Sequence, residues 1–154
     1  MPNWTKVTLV FPDSGIAKRI HEDNKIDDVL AFRKLIPYPK TKVGLPAKYI
    51  KKEEDIRWPF GMKYDVEENG PMWLDSFEWC IDNWGVKWDI CIDDYLIRGN
   101  KITFHCPWSI PTPVIKLLAQ KYGITILCLF KLEDEKELNV MCFEPGKAPY
   151  EMKP

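Results

Sequence analysis

Nowhere does the chain gather the roughly 18 consecutive apolar residues that a membrane-spanning helix needs, so contact with a membrane is not expected. Cysteine is sparse and ill-spaced. Cys80, Cys91, Cys106, Cys128 and Cys142 are an odd set with long gaps and no Cys-x-x-Cys, which argues against a disulfide framework, a zinc site or an iron–sulfur cluster. They read as small apolar core residues in a reducing compartment. Histidine is scarcer still, with only His21 and His105, so no cofactor or metal site is expected from the residue inventory. An excess of one charge is also missing: 22 Lys and Arg stand against 23 Asp and Glu. A protein built to coat nucleic acid or a membrane surface normally shows a clear cationic surplus, so any such contact here must be local. The opening Met1-Pro2-Asn3-Trp4-Thr5-Lys6 lacks the apolar run of a signal peptide, and a cytoplasmic protein is expected.

What the sequence does contain is enough apolar residue, 45% of 154, to build one domain over 1–154 that buries roughly 70% of the surface its unfolded chain would expose. Lys6 to Phe11 alternates as a strand, and Asp13-Ser14 can cap a helix that presents Ile16, Ala17 and Ile20 on one side. Between about 25 and 70 periodicity fails, and Pro37, Pro39, Pro46 and Pro59 break anything long; this irregular insertion has too few apolar residues for a core of its own. After Pro71 a helix is predicted, with Trp73, Leu74, Phe77, Cys80, Ile81 and Trp84 on one face and Gly85 at its end. Trp88–Ile97 and Lys101–Cys106 read as a hairpin around Arg98-Gly99-Asn100. A helix from Thr112 and Pro113 to Gly123 buries Val114, Ile115, Leu118, Ala119 and Tyr122, and strands follow at Thr125–Lys131 and Leu138–Phe143. Without the insertion the order is that of an α+β, ferredoxin-like split β-α-β domain with an antiparallel sheet, an extra helix and one added edge strand.

Three motifs sharpen this. Phe32-Arg33-Lys34-Leu35-Ile36-Pro37-Tyr38-Pro39, then Trp79-Cys80-Ile81-Asp82-Asn83-Trp84-Gly85-Val86-Lys87-Trp88-Asp89, then Phe104-His105-Cys106-Pro107-Trp108-Ser109-Ile110-Pro111, taken in that order, resemble the YubB-type ferredoxin-like proteins of phages, plasmids and pathogenicity islands. The resemblance spans nearly the whole chain and implies the fold; that family has no agreed biochemical activity. The chain departs from the family pattern at Val86, where Thr is usual, and at His105-Cys106, where Asp-Thr is usual, so no role tied to those polar side chains carries over.

Candidate functional residues fall into three groups. Trp84, Trp88, Phe104, Leu118 and Phe130 are expected in one core, whereas Trp79 sits on the shoulder of its helix beside Asp75, Glu78 and Asp82; the insertion covers it, or it is a partner-binding anchor with an acidic rim. Asp89, Asp93 and His105 would share the open sheet face if the hairpin loop has three residues, with Asp93 opposite His105 as the nearest thing to general acid–base machinery. The carboxylates on that face would repel phosphate. Finally, charge is segregated: eight basic residues against three acidic ones lie between Arg33 and Arg57, including Lys48, Lys51 and Lys52, while nine acids against Lys87 alone lie between Asp65 and Asp94. Three readings follow. The first is a non-enzymatic protein that binds a host protein or nucleoprotein in the host cytoplasm, which the resemblance links to mobile elements and to inhibition of host defence of the anti-CRISPR kind. The second is a nucleic-acid binder that uses the basic segment; the weakest is an enzyme built on Asp93 and His105.

Overall fold

Alternating burial along Trp4–Val10 makes this run β1, the strand on which the domain is threaded: Thr5, Val7 and Leu9 are buried while their neighbours are not. The computed structural model describes residues 3–39, 46–51, 62–64, 72–74 and 76–152. After β1 come α1 (Ser14–Asn24), the two-residue strands β2 (Lys25–Ile26) and β3 (Val29–Leu30), and the short helix α2 (Phe32–Leu35). Then follow β4 (Ile50–Lys51), β5 (Met62–Tyr64), β6 (Met72–Leu74), α3 (Ser76–Trp84), β7 (Leu96–Arg98), β8 (Lys101–Pro107), α4 (Thr112–Tyr122), β9 (Ile126–Leu132), β10 (Asn139–Phe143) and β11 (Tyr150–Met152). The main sheet has six strands in the order β11-β10-β9-β1-β8-β7, each pair antiparallel. Its inner order β9-β1-β8-β7 is that of two interlocked split β-α-β units, so the fold is ferredoxin-like α+β. The chain adds two edge strands rather than one, since Tyr150–Met152 pairs with β10.

Local chemistry accounts for the helices. The Asp13 carboxylate accepts the Ile16 N–H at 2.8 Å and caps α1, and Gly123 closes α4 in the left-handed region at φ 62°. Gly85 ends α3 at φ 84°, where an added Cβ would lie 2.9 Å from Pro113 Cδ and 3.2 Å from the Ile110 carbonyl. Only glycine lets α3 and the start of α4 approach this closely. Between the helices and the sheet lies one apolar cluster that includes Leu9, Ile20, Phe32, Trp84, Phe104 and Leu118. Phe32 meets both Trp84 and Phe104 edge to face, at centroid distances of 6.0 and 5.9 Å.

Four sequence expectations are corrected. Trp73 and Leu74 belong to β6, part of a three-stranded sheet of order β4-β6-β5, and α3 begins only at Ser76. Ile81, predicted inside, is 44% exposed, because α3 turns Trp79 and Cys80 inward with Trp84. The predicted strand Trp88–Ile97 shrinks to Leu96–Arg98; a 3-10 turn at Ile92–Asp94 precedes it, as two adjacent aspartates favour. Of the five residues expected in one core, Trp84, Phe104 and Leu118 are fully buried and Phe130 packs against them, but Trp88 is only half-buried and lies edge to face on Trp4 at 5.8 Å. From the predicted insertion, Val29, Leu30 and Phe32 enter the main core.

One carboxylate explains how a four-residue helix persists within that insertion. Asp89 accepts the N–H groups of Phe32 at 2.7 Å and Arg33 at 3.1 Å, capping α2 from across the fold, and pairs with the Arg33 guanidinium at 2.9 Å. Asp89→Ala should therefore lower stability by about 2 kcal/mol in equilibrium denaturation, the usual scale for a charged acceptor that leaves buried donors unpaired. Trp84→Ala should cost about 3 to 5 kcal/mol in the same measurement, and Trp88→Ala, at its half-exposed site, about 1 to 2.

Candidate functional site

The helices cover one face of the main sheet; the other carries the strand residues that alternate with the buried ones, with the 3-10 turn Ile92–Asp94 at its side beside β8. The open face is built from the alternate residues of each strand, and the registers state which of them meet. Lys6 on β1 pairs directly with His105 on β8 and with Lys131 on β9, so three cationic or protonatable side chains cross the three central strands in one row. Trp4 stands one pleat along β1 from Lys6. With Asp94, Leu132 and Glu133, these residues line a cleft of about 400 Å³. Neither Lys6 nor Lys131 has a carboxylate within ion-pair distance among the described residues. His105 Nδ1 is buried without a hydrogen bond, its nearest acid being Asp94 at 3.7 Å, beyond hydrogen-bond reach. On the rim, Glu133 accepts the Trp4 N–H at 3.2 Å, and Trp88 braces the Trp4 ring from outside the cleft. Leu96, Tyr150 and Met152, each more than 40% exposed, carry the open face outward on both sides.

This differs from the face the sequence suggested. The hairpin loop is the two-residue Gly99-Asn100, with Gly99 at φ 61° and Arg98 paired to Lys101, not a three-residue loop. The one-residue difference brings Asp94, rather than Asp93, beside His105; Asp93 is exposed in the 3-10 turn. Asp89 has left the sheet altogether for the N-terminus of α2. The face expected to repel phosphate is thus led by lysines. The cationic row was visible in the sequence only as the alternation Trp4-x-Lys6 and a lysine at the end of β9, and nothing short of the strand pairing shows that these residues meet.

The predicted partner-binding group is also redistributed. Trp79 is 5% exposed and packs against Tyr38 at 5.1 Å and Trp84 at 5.4 Å, so it is a core residue covered by the insertion and not an exposed anchor. Burial also holds the Tyr38 hydroxyl well above the ordinary tyrosine range. Glu78 is half-buried on the same helix. Asp82 receives Lys48 Nζ at 2.8 Å and the Tyr49 hydroxyl at 2.5 Å, which together hold its carboxyl below the usual carboxylate range and raise the Lys48 ammonium in turn. The basic segment thus packs beside the acidic helix at this point. Lys51 is the second residue of β4; Asp75 and Lys52, with much of the basic segment, lie outside the described residues.

Among the described residues, no three His, Cys, Asp or Glu side chains converge in a way that could hold a metal ion, and no helix is long and apolar enough to cross a membrane. No protein-family model, curated protein or solved structure matches the chain. The open-face cleft is therefore read from its own geometry. Like charges placed directly opposite on neighbouring strands destabilise a sheet, and Lys6 faces Lys131 in that way. Lys131→Glu should raise the stability of the free protein by about 0.2 to 1 kcal/mol in urea denaturation, with the gain shrinking at high salt.

Proposed function

We propose that the protein is a non-enzymatic binding protein whose partner docks on the open face of the main sheet and carries negative charge. The observation that carries this reading is the row Lys6, His105 and Lys131, with two lysines without an ion-pair partner among the described residues on the sheet face opposite the helices. An anion seated there would convert a repulsive arrangement into an attractive one, and the low dielectric of a closed interface would strengthen the contact. Among the described residues that line the cleft there is no serine or cysteine nucleophile, and its histidine and aspartate are not hydrogen-bonded to each other, which favours binding over catalysis. The resemblance to YubB-type proteins supports placing the protein among the products of phages or other mobile elements, acting in the cytoplasm of a bacterial host. In that setting the partner is a host protein or nucleoprotein, and interference with host defence of the anti-CRISPR kind is the outcome.

Affinity capture from bacterial lysate, run with charge-reversed variants in parallel, tests the docking face. The double variant Lys6→Glu with Lys131→Glu should lose the partners that the unaltered protein retains, whereas Lys18→Glu with Lys116→Glu, on the exposed sides of α1 and α4, should keep them. Loss through the helix-face pair together with retention by the sheet-face pair would move the docking surface to the helices.

A further inference from the structure

Resting on the reading that the open face is the docking surface, we infer that the cleft seats a nucleotide of a single-stranded nucleic acid, with backbone phosphate against Lys6 and Lys131 and a base against Trp4. The residue types at the site choose among anionic partners. Lys6 and Lys131 supply the two unpaired ammonium groups, and His105 on β8 adds a ring on the other side of Lys6 from Lys131. A chain of phosphates or a stretch of acidic side chains would satisfy these equally. The rest of the wall separates the two: Asp94 and Glu133 stand on the rim, and Trp4 and Leu132 form its apolar part. The carboxylates repel acidic side chains and phosphates alike, so the aromatic ring is what separates the two, since acidic side chains gain nothing from it. A nucleotide has a flat π-face for Trp4 and base amino groups that donate to carboxylates, so every lining group has a counterpart.

Scale and topology agree with this. A cleft of about 400 Å³ lies within the range of small-ligand sites, and it is centred on β1, an inner strand of the split β-α-β sheet, with β9 on one side and β8 on the other. RNA-binding domains of related topology stack splayed bases on aromatic residues of their open sheet face, and Trp4 on β1 is the aromatic residue that lines this cleft. Farther along the face, exposed Arg98 and Lys101 face each other at the hairpin, giving a strand that leaves the cleft along β8 more cations to follow. Cations and stacking platforms combined in this way give binding with little sequence preference and strong salt dependence.

Fluorescence anisotropy with 5′-fluorescein-labelled deoxyadenosine and adenosine strands of about ten nucleotides, whose bases carry the amino group, titrated at several salt concentrations, tests the proposal. The full chain should bind at low salt and weaken steeply as salt rises. Lys6→Ala and Lys131→Ala should each lower the slope of log affinity against log salt by about 0.7, and Trp4→Ala should weaken binding about ten-fold while Trp4→Phe retains most of it. Lys131→Glu is the decisive variant: a protein at least as stable as the parent that no longer binds the strands separates a binding role from a folding defect. Absence of strand binding by the unaltered protein at low salt would overturn the proposal, as would binding that survives the lysine substitutions. Tight binding of a labelled polyglutamate peptide in place of the strands would assign the cleft to an acidic protein instead. Were strand binding absent while the sheet-face charge reversal still abolished capture from lysate, the nucleic-acid assignment would fall and the docking face would stand.

Discussion

The Asp89 carboxylate is the contact on which much of the rest depends. A helix of four residues has no stability of its own, because nucleation costs more than its few hydrogen bonds return. Asp89 supplies what α2 lacks by accepting its first N–H groups and holding the Arg33 side chain, and it also accepts the N–H of Ile90 at 2.8 Å, which fixes its own loop. With α2 anchored, Phe32 is delivered between Trp84 and Phe104, the Ile36 carbonyl receives Trp84 Nε1–H at 2.9 Å, and Tyr38 closes over Trp79. One acid thereby joins the insertion, the end of α3 and the central sheet. It also empties the open sheet face of a negative charge.

What could be read in the sequence follows from how local each determinant is. Alternation in β1, β8 and β9, the Asp13 cap, the glycine ends of α3 and α4 and the split β-α-β order all depend on residues within a few positions of one another, and they stand close to where the pattern puts them. Trp79, Asp89 and the hairpin register do not. The burial of Trp79 depends on Tyr38, and the role of Asp89 on backbone donors at Phe32 and Arg33, both far along the chain. The register turned on whether Arg98 belongs to the loop or the strand. The glycine followed by asparagine was the available signal, since two-residue hairpin loops require positive φ at such a position. That single residue decided whether Asp93 or Asp94 lies beside His105, and with it the character of the candidate site.

Charge shows why a composition total is a poor guide to an interface. A net charge of -1 combines two different arrangements. On α3, acid and base meet within the chain, as Lys48 and Tyr49 do at Asp82, so part of the segregation visible in the sequence is spent internally. On the open sheet face the lysines of adjacent strands face each other instead. An exposed ion pair such as Lys48–Asp82 adds little to stability, and the repulsion between Lys6 and Lys131 subtracts little, so neither decides whether the chain folds. Their signs matter for recognition, where a local field acts on a partner within about a Debye length.

The two faces of the sheet thus answer to different constraints. The helix side is closed by aromatic packing and one buried clamp, with polar groups bonded through Asp89 and Trp84, and the polar atom left without a hydrogen bond there, the Thr5 hydroxyl, is sealed in where no partner reaches it. The open side holds a histidine nitrogen with no hydrogen bond, two unpaired lysines and a braced tryptophan around one cleft. Unsatisfied polar groups are costly in a fold and useful in a site, because a ligand that completes them gains what the free protein lacks. Folding and binding therefore ask opposite things of Lys131: the free sheet is better served by an acid opposite Lys6, and an anionic partner by the lysine that is there.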